Sequence, residues 1–576
     1  MILKSIYVSL ISILAATPPS LQAATPRCAV EGALLPRPTN VCNHPAFKSA
    51  SSKLSSYFDT AIAGNISAGF DTVNTSFAVA FVSLQASNSP IYTYTHLSPA
   101  NEHGTKHING DSQFLIGSIS KLFTDVVLLK SGVDLEEKAT KFLPELGRKR
   151  GLIRWGDVTL RDLGEHLAGV GPNYGFPEIY GLIPLYQQLG FPPVEKSDFP
   201  PCNVAGLNKA CTRQQLLDGL TKARPVTPVG ERAVYSNLAF SLISLALERA
   251  TGKNYTTLLD DLVVKPLKLN NTGVSPGDTA KAVIPPVDNG WGADYAFSAP
   301  AGGLYSCIND LSVLALSVLN KSLLPPPTLR KWLKPTSSTP NLQYSIGLPW
   351  EIYRTTNLTP AHPHTVDIYA KDGGAYGYVS RIGIIDQYGV GFVVLTAGDT
   401  EAMYPIAEAT VATLMPAVEE ATRSEAEKYT GVFGGSEGIH GVVANFTIDS
   451  GPGIKLGSLV RNGSDILEGS IQWKYPHIMA GNKKIIKEDW RIAMEITGSI
   501  GSDNKSQLPS AGAFSKGCNT WQTYDLLYYG GQPMDRIVFW LNGTTKGVVG
   551  VEVPFLRSGV LKILDDEVVA KMERAN

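Results

Sequence analysis

What this chain has little of narrows it first. Its net charge is only −1 over 576 residues, with no basic run. A nucleic-acid partner calls for a basic face, so that class is excluded. Beyond the first two dozen residues, no stretch is long and apolar enough to span a bilayer. Histidine is scarce: His103 and His107 share a polar loop but lack a third ligand, so they read as solvated residues. No metal and no cofactor is expected. Cysteine is also sparse, at six.

What is present has the composition of an ordinary globular protein, and the length calls for two domains. Residues 1–23 read as a secretory signal. Lys4 supplies the positive start, Ile6 to Ala16 the apolar run, and Leu21-Gln22-Ala23 the cleavage site. A secreted location makes the cysteines candidate disulfides. Cys28 with Cys42 and Cys202 with Cys211 would close small loops; Cys307 and Cys518 are then left to bridge the domains. Sequons stand at Asn65, Asn74, Asn254, Asn270, Asn320, Asn357, Asn445, Asn462, Asn504 and Asn542, a density that fits a secreted glycoprotein.

A segment 24–46 held by Cys28 and Cys42 leads into a domain over 47–421. Phe47–Ala63 predicts a helix. Ser76–Val82 and Ile91–Thr95 predict paired strands. Val158–Gly169 reads as a capped helix ending at Gly169, with His166 as a packing or hydrogen-bonded residue rather than a catalytic one. Residues 171–227 are irregular and rich in proline and aromatics, including Tyr174, Phe176, Tyr180, Tyr186, Phe191 and Phe199. Such a stretch is either a cap over a site or a surface insertion; the cap is the reading carried forward. Asp367–Ser380, Arg381–Ile385 and Gly391–Thr396 alternate like adjacent strands, with Lys371-Asp372-Gly373-Gly374 at the sheet's edge, where glycines let a ligand approach the backbone. Met403–Ala421 predicts the closing helix. Residues 422–576 carry short strand candidates between turns, an all-β domain.

The chemistry starts at Phe114–Leu129. Ser118 and Lys121 stand three apart, so they share one face of a first helical turn. A lysine among apolar residues needs a partner or a task. Desolvation lowers its pKa and lets it help remove a serine proton. Ser-x-x-Lys alone is a weak signal. Two further elements follow in order, Tyr235-x-Asn237 and Lys371-x-Gly373, with the phrase Pro300-Ala-Gly-Gly-Leu-Tyr305 between them.

Together these motifs resemble the serine β-lactamase and penicillin-binding protein superfamily, in its class C branch with Tyr-x-Asn. The likeness spans roughly Phe47 to Pro416. The whole chain, tail included, resembles secreted fungal β-lactamase-like proteins. The resemblance implies an α+β fold: an antiparallel sheet with flanking helices and an all-helical subdomain, then the β-rich tail. It implies Ser118 as the acylated nucleophile, and Lys121 and Tyr235 sharing the base role. Asn237 would orient substrate and Lys121, and Lys371 would polarise Tyr235. The N–H groups of Ser118 and Gly374 would form the oxyanion hole.

One position departs from that pattern. Asp372 stands where the family has Thr or Ser, beside Gly373 in the substrate-binding strand. Turned toward the cleft, its carboxylate would repel the carboxylate of a penicillin or D-peptide; turned away, it would pair on the surface. The cleft-facing reading points to a secreted hydrolase or acyltransferase acting on a neutral small-molecule ester or amide, such as a secondary metabolite. The alternatives are a silent binding protein on the same fold, or a D-amino-acid peptidase or β-lactamase proper.

Overall fold

The computed structural model describes residues 31–569, apart from 85–88, 148–150, 176–182, 196–199, 201, 203–209, 436–440, 470–472, 482–486, 495–520 and 522–523. The expected signal at 1–23 therefore lies outside the described residues, as do Cys28, Cys518 and Asn504.

Apolar alternation builds the main sheet. Its strands are β1 (Ser76–Ser83), β2 (Tyr92–His96), β3 (Ser337–Ser338), β4 (Tyr344–Ile346), β5 (Glu351–Thr355), β6 (Val366–Ala375), β7 (Tyr378–Ile385) and β8 (Val390–Ala397). They run in the order β2-β1-β8-β7-β6-β5-β4-β3, with every pairing antiparallel. The expected β1–β2 pairing is present. In β1, Phe77, Val79 and Phe81 face one core while Ala78, Ala80 and Val82 face another, so the strand is buried on both sides. The first of these cores is closed by helices α1 (Pro45–Ile62) and α5 (Met403–Ala426). The other carries the helical subdomain, with α2 (Ser120–Lys130), α3 (Asn237–Thr251) and α4 (Ile308–Leu319).

The tail is all β. Strands β9 (Gly431–Gly434), β10 (Val442–Thr447), β11 (Lys455–Arg461), β12 (Ser464–Asp465), β13 (Trp473–Gly481), β14 (Lys487–Met494), β15 (Arg536–Leu541), β16 (Val548–Glu552) and β17 (Val560–Ile563) form one sheet, ordered β12-β11-β10-β9-β17-β16-β15-β14-β13. The sheet curls so that β11 comes against β13. Its concave side holds Tyr429, Phe446, Trp490 and Phe539 in a core of their own.

Three sequence expectations need correction here. The helix predicted over Val158–Gly169 is only Leu160–Gly164, opened by a Thr159/Asp162 capping box. His166 stops it by adopting a left-handed φ of 61°. The Lys371 strand is not an edge strand, because β5 and β7 flank it. The β5 ladder ends at the Glu351–Ala370 pair, however, so residues 371–375 outrun it and act as a local edge. Finally, Cys202 and Cys211 do form a disulfide, but Cys42 and Cys307 are free thiols. Cys307 caps α4 inside the catalytic core, where its Sγ accepts the Asp310 N–H. Its expected partner, Cys518, lies outside the described residues. Polar contacts join the two domains: Arg423 donates to the carbonyls of Asp449 and Gly451, and His362 to that of Ser450. Glu425 accepts from the backbone of Thr39 and Asn40, which ties the N-terminal segment to α5.

Candidate active site

The site forms where α2, the start of α3 and the end of β6 converge. Ser118 lies in a tight turn, Gly117–Ile119, that feeds α2. Gly117 is required there twice over. Its φ is +48°, and a Cβ would stand 2.5 Å from the Gly374 nitrogen. That close approach sets the Gly374 backbone one residue from Ser118. A Cβ on Gly374 would meet only open space, so this strand end faces the cleft. Gly373 does a different job from the one expected. Its missing side chain makes room for the Ile116 carbonyl, 2.0 Å from where a Cβ would stand, and not for a ligand.

Lys121 is fully buried, and its ammonium has three acceptors: Ser118 Oγ at 2.9 Å, Asn237 Oδ1 at 2.6 Å and the Ala301 carbonyl at 2.6 Å. The Pro300-Ala-Gly phrase thus supplies a backbone oxygen. Tyr235 Oη donates to the same Ser118 Oγ at 2.6 Å. Tyr235 as a residue is 42% exposed, while its hydroxyl points inward between Lys121 and Lys371, whose ammonium nitrogens lie 4.8 and 5.3 Å from the ring centre. Asn237 opens α3, and Ser236 is the residue that caps it. The Asn237 amide nitrogen donates to Asn173 Oδ1 at 3.0 Å, joining the start of the 171–227 stretch to the site. Of the cap aromatics, Phe176, Tyr180 and Phe199 lie outside the described residues. Tyr186 and Phe191 pair edge to face.

The electrostatics follow from burial and charge. Burial pushes the Lys121 ammonium down to about 8; Tyr235 opposes that shift and Lys371 adds to it. For Tyr235, burial acts to raise the phenol, but the charges of Lys121 and then Lys371 outweigh it, and the net shift is downward. Burial alone would lower Lys371; Glu351 and Tyr235 reverse this and hold it above the ordinary lysine range. Ser118 Oγ therefore accepts from two acids, each made a stronger proton donor because its pKa is lowered. Loss of one proton from the pair reverses a bond and makes Ser118 the donor, ready to attack. The kcat/KM for a neutral ester should accordingly rise about tenfold per pH unit up to a limb near pH 8. A profile flat from mildly acidic to mildly alkaline pH would remove the coupled pair as the base.

Glu351 was not anticipated. It opens β5, and one oxygen makes an ion pair with the Lys371 ammonium while the other accepts the Asp372 N–H at 2.9 Å. A side chain thus continues the ladder where β5 ends. The only hint in the sequence was an acid at the start of a short alternating run, whose register against Lys371 was unknown.

Asp372 does not face the cleft. Arg381, its cross-strand partner on β7, binds both carboxylate oxygens at 2.6 and 2.7 Å. The guanidinium lies over Tyr353 and over Tyr404 at the start of α5, on the sheet face opposite Ser118. Strand alternation has won: Lys371 points in, so Asp372 points out. Its substitution by Thr is not expected to change selectivity.

Residues 77–414 match the beta-lactamase family. The chain belongs to that family. Residues 421–563 match a second family, described as the beta-lactamase-like-like C-terminal domain. A beta-lactamase-like protein of Arthroderma benhamiae is 45% identical over 581 residues, covering 95% of this chain and 98% of that one. The probable hydrolases M10 of Phoma sp. and clz13 of Cochliobolus lunatus are 24% and 23% identical, covering 84% and 83% of this chain. The alignment with the Arthroderma relative runs through both matched regions of this chain.

Proposed function

We propose that this family member is a secreted serine hydrolase or acyltransferase that works through an acyl-Ser118 intermediate on neutral esters or amides. The observation that carries the reading is the placement of one serine oxygen within hydrogen-bond reach of both Lys121 Nζ and Tyr235 Oη. A binding protein has no use for a nucleophile held by two tuned bases. Ser118 Oγ attacks the substrate carbonyl carbon while its proton passes to the Tyr235–Lys121 pair. The new oxyanion lies toward the N–H groups of Ser118 and Gly374, each worth roughly 10²–10³ in rate. The alcohol or amine leaves with the proton. Water or another alcohol or amine then attacks the acyl carbon and frees Ser118.

Neutral substrates are favoured by the charge balance. Lys371, the cation that would meet a substrate carboxylate, is already paired with Glu351. Asp372, which replaces the family's hydroxyl residue, is paired with Arg381 on the far face. The cleft therefore offers an anionic substrate little uncompensated positive charge beyond Lys121. Secretion is supported by the sequons: Asn65, Asn254, Asn270, Asn320, Asn357, Asn462 and Asn542 are exposed, while Asn74 and Asn445 are half-buried.

The test is a panel of neutral esters, D-amino-acid peptides and penicillins, read by the mass of an acyl adduct on Ser118. Adducts formed faster from penicillins than from neutral esters would sink the substrate class. Glu351→Gln sharpens the question, because it leaves Lys371 uncompensated. A unit charge at about 6 Å and an effective dielectric near 20 is worth about 3 kcal/mol, so the carboxylate-to-neutral ratio of kcat/KM should rise roughly a hundredfold. The effect should shrink at high salt. An unchanged ratio would mean that Glu351 does not set charge preference.

A further inference from the structure

We propose that His166 is a positioning residue for Tyr235, holding the tyrosine's backbone on both flanks and its ring on one face so that the phenol oxygen stays on Ser118. The proposal rests on the acyl-Ser118 reading above.

The contacts come from one residue in an unfavourable conformation. His166 follows the short helix Leu160–Gly164 and takes a φ of 61°, a left-handed region that is uncommon for residues with a Cβ. In that conformation its carbonyl accepts the Val234 N–H at 2.8 Å. Its Nδ1 accepts the Ser236 N–H at 3.1 Å. Those two donors are the residues immediately before and after Tyr235. The imidazole also lies 4.7 Å from the Tyr235 ring, with Phe240 5.5 Å away. The irregular segment that follows continues the grip: the carbonyl of Gly171 accepts the Ser236 hydroxyl, and that of Pro172 accepts the Asn237 N–H at 2.9 Å.

A purely space-filling role does not account for the choice of histidine. With Nδ1 accepting, the neutral ring carries its proton on Nε2. That nitrogen is buried and has no hydrogen-bond partner among the described residues. An unpaired buried N–H is a standing cost that phenylalanine would avoid. What the histidine adds is the Nδ1 acceptor. Burial, and then the charges of Lys121 and Lys371, keep the imidazole well below its ordinary pKa, so Nδ1 stays free to accept. Aim matters here because Tyr235 is partly exposed and hangs from the turn that precedes α3. A displacement of about 1 Å between reacting groups can cost about a hundredfold.

The test compares wild type, His166→Phe and His166→Asn in single-turnover acylation by p-nitrophenyl acetate, with kcat, KM and a thermal melt for each. Phenylalanine keeps a ring and loses the acceptor. Asparagine loses the ring, keeps an acceptor oxygen near the Nδ1 position and tolerates the left-handed backbone. The expected result is kcat down about a hundredfold in His166→Phe at nearly unchanged KM, with His166→Asn recovering to within about tenfold of wild type. A folded His166→Asn as slow as His166→Phe overturns the proposal, and so does a His166→Phe with wild-type kcat. Should the phenylalanine variant not fold, the asparagine variant alone decides: near-wild-type kcat supports the brace, and a hundredfold loss overturns it. Wild type that forms no acyl-Ser118 overturns the parent reading and the brace with it. Acylated wild type with a hundredfold-slow Asn variant overturns the brace only.

Discussion

Ser118→Ala should abolish turnover and covalent labelling, a loss on the order of 10⁶ in kcat if the site behaves as other serine hydrolases do when their nucleophile is removed. The fold should survive. Lys121 keeps two of its three acceptors, Asn237 Oδ1 and the Ala301 carbonyl, so its buried charge is not orphaned. Tyr235 loses that acceptor, but its oxygen still lies beside the Lys121 and Lys371 ammonium groups. Removal of one hydroxyl from a tight turn leaves no cavity of consequence. The melting temperature should therefore stay within a few degrees of wild type. Intact-protein mass after exposure to a serine-reactive probe is the measurement. An adduct that persists in the variant, mapped to a different serine, would refute the assignment of the nucleophile.

Tyr235→Phe should cost about 10²–10⁴ in kcat, the range of general acid–base help, with KM little changed. The phenol is the shorter of the two contacts to Ser118 Oγ, 2.6 against 2.9 Å for Lys121. It is also the group whose deprotonation the two neighbouring lysines favour. The phenylalanine ring would still stack on His166, so a structural loss is not expected. Lys121 would be left as the sole base. Its other two acceptors hold it in place, which is why a residual rate should remain above that of Ser118→Ala. Steady-state kinetics on a neutral ester decide the matter: turnover near wild type would transfer the base role to Lys121 and leave Tyr235 as a wall of the cleft.

Much of the site was readable before any coordinates. Ser118 and Lys121 are three apart on one helical turn, and their proximity is a property of local geometry. That a lysine set among Ile119, Leu122 and Phe123 must be desolvated follows from its neighbours, and it is indeed buried. The tail was legible as β from its short alternating runs. The misreadings share a different cause. Asp372 and Glu351 each depend on which residue of a neighbouring strand lies opposite, a register that strand periodicity alone does not fix. Cys307 depends on whether a thiol is enclosed or open, which no spacing rule can tell.

By itself, then, the sequence determined the chemistry: a serine with a buried lysine beside it, a tyrosine and a second lysine in the right order, an α+β catalytic domain and a β tail. The first pair and the secondary structure follow from periodicity and the cost of burying a charge, which act over a few residues; the tyrosine and second lysine were implied by the motifs' resemblance to a known family. Only the tertiary structure decided how the charges are matched. It paired Lys371 with Glu351, paired Asp372 with Arg381 on the opposite face, enclosed Cys307, and bent the chain at His166 so that it grips both sides of Tyr235. The two ion pairs join neighbouring strands, 20 and 9 residues apart, while the His166 contact spans 70, and the geometry of each exists only once strand register and helix packing are complete.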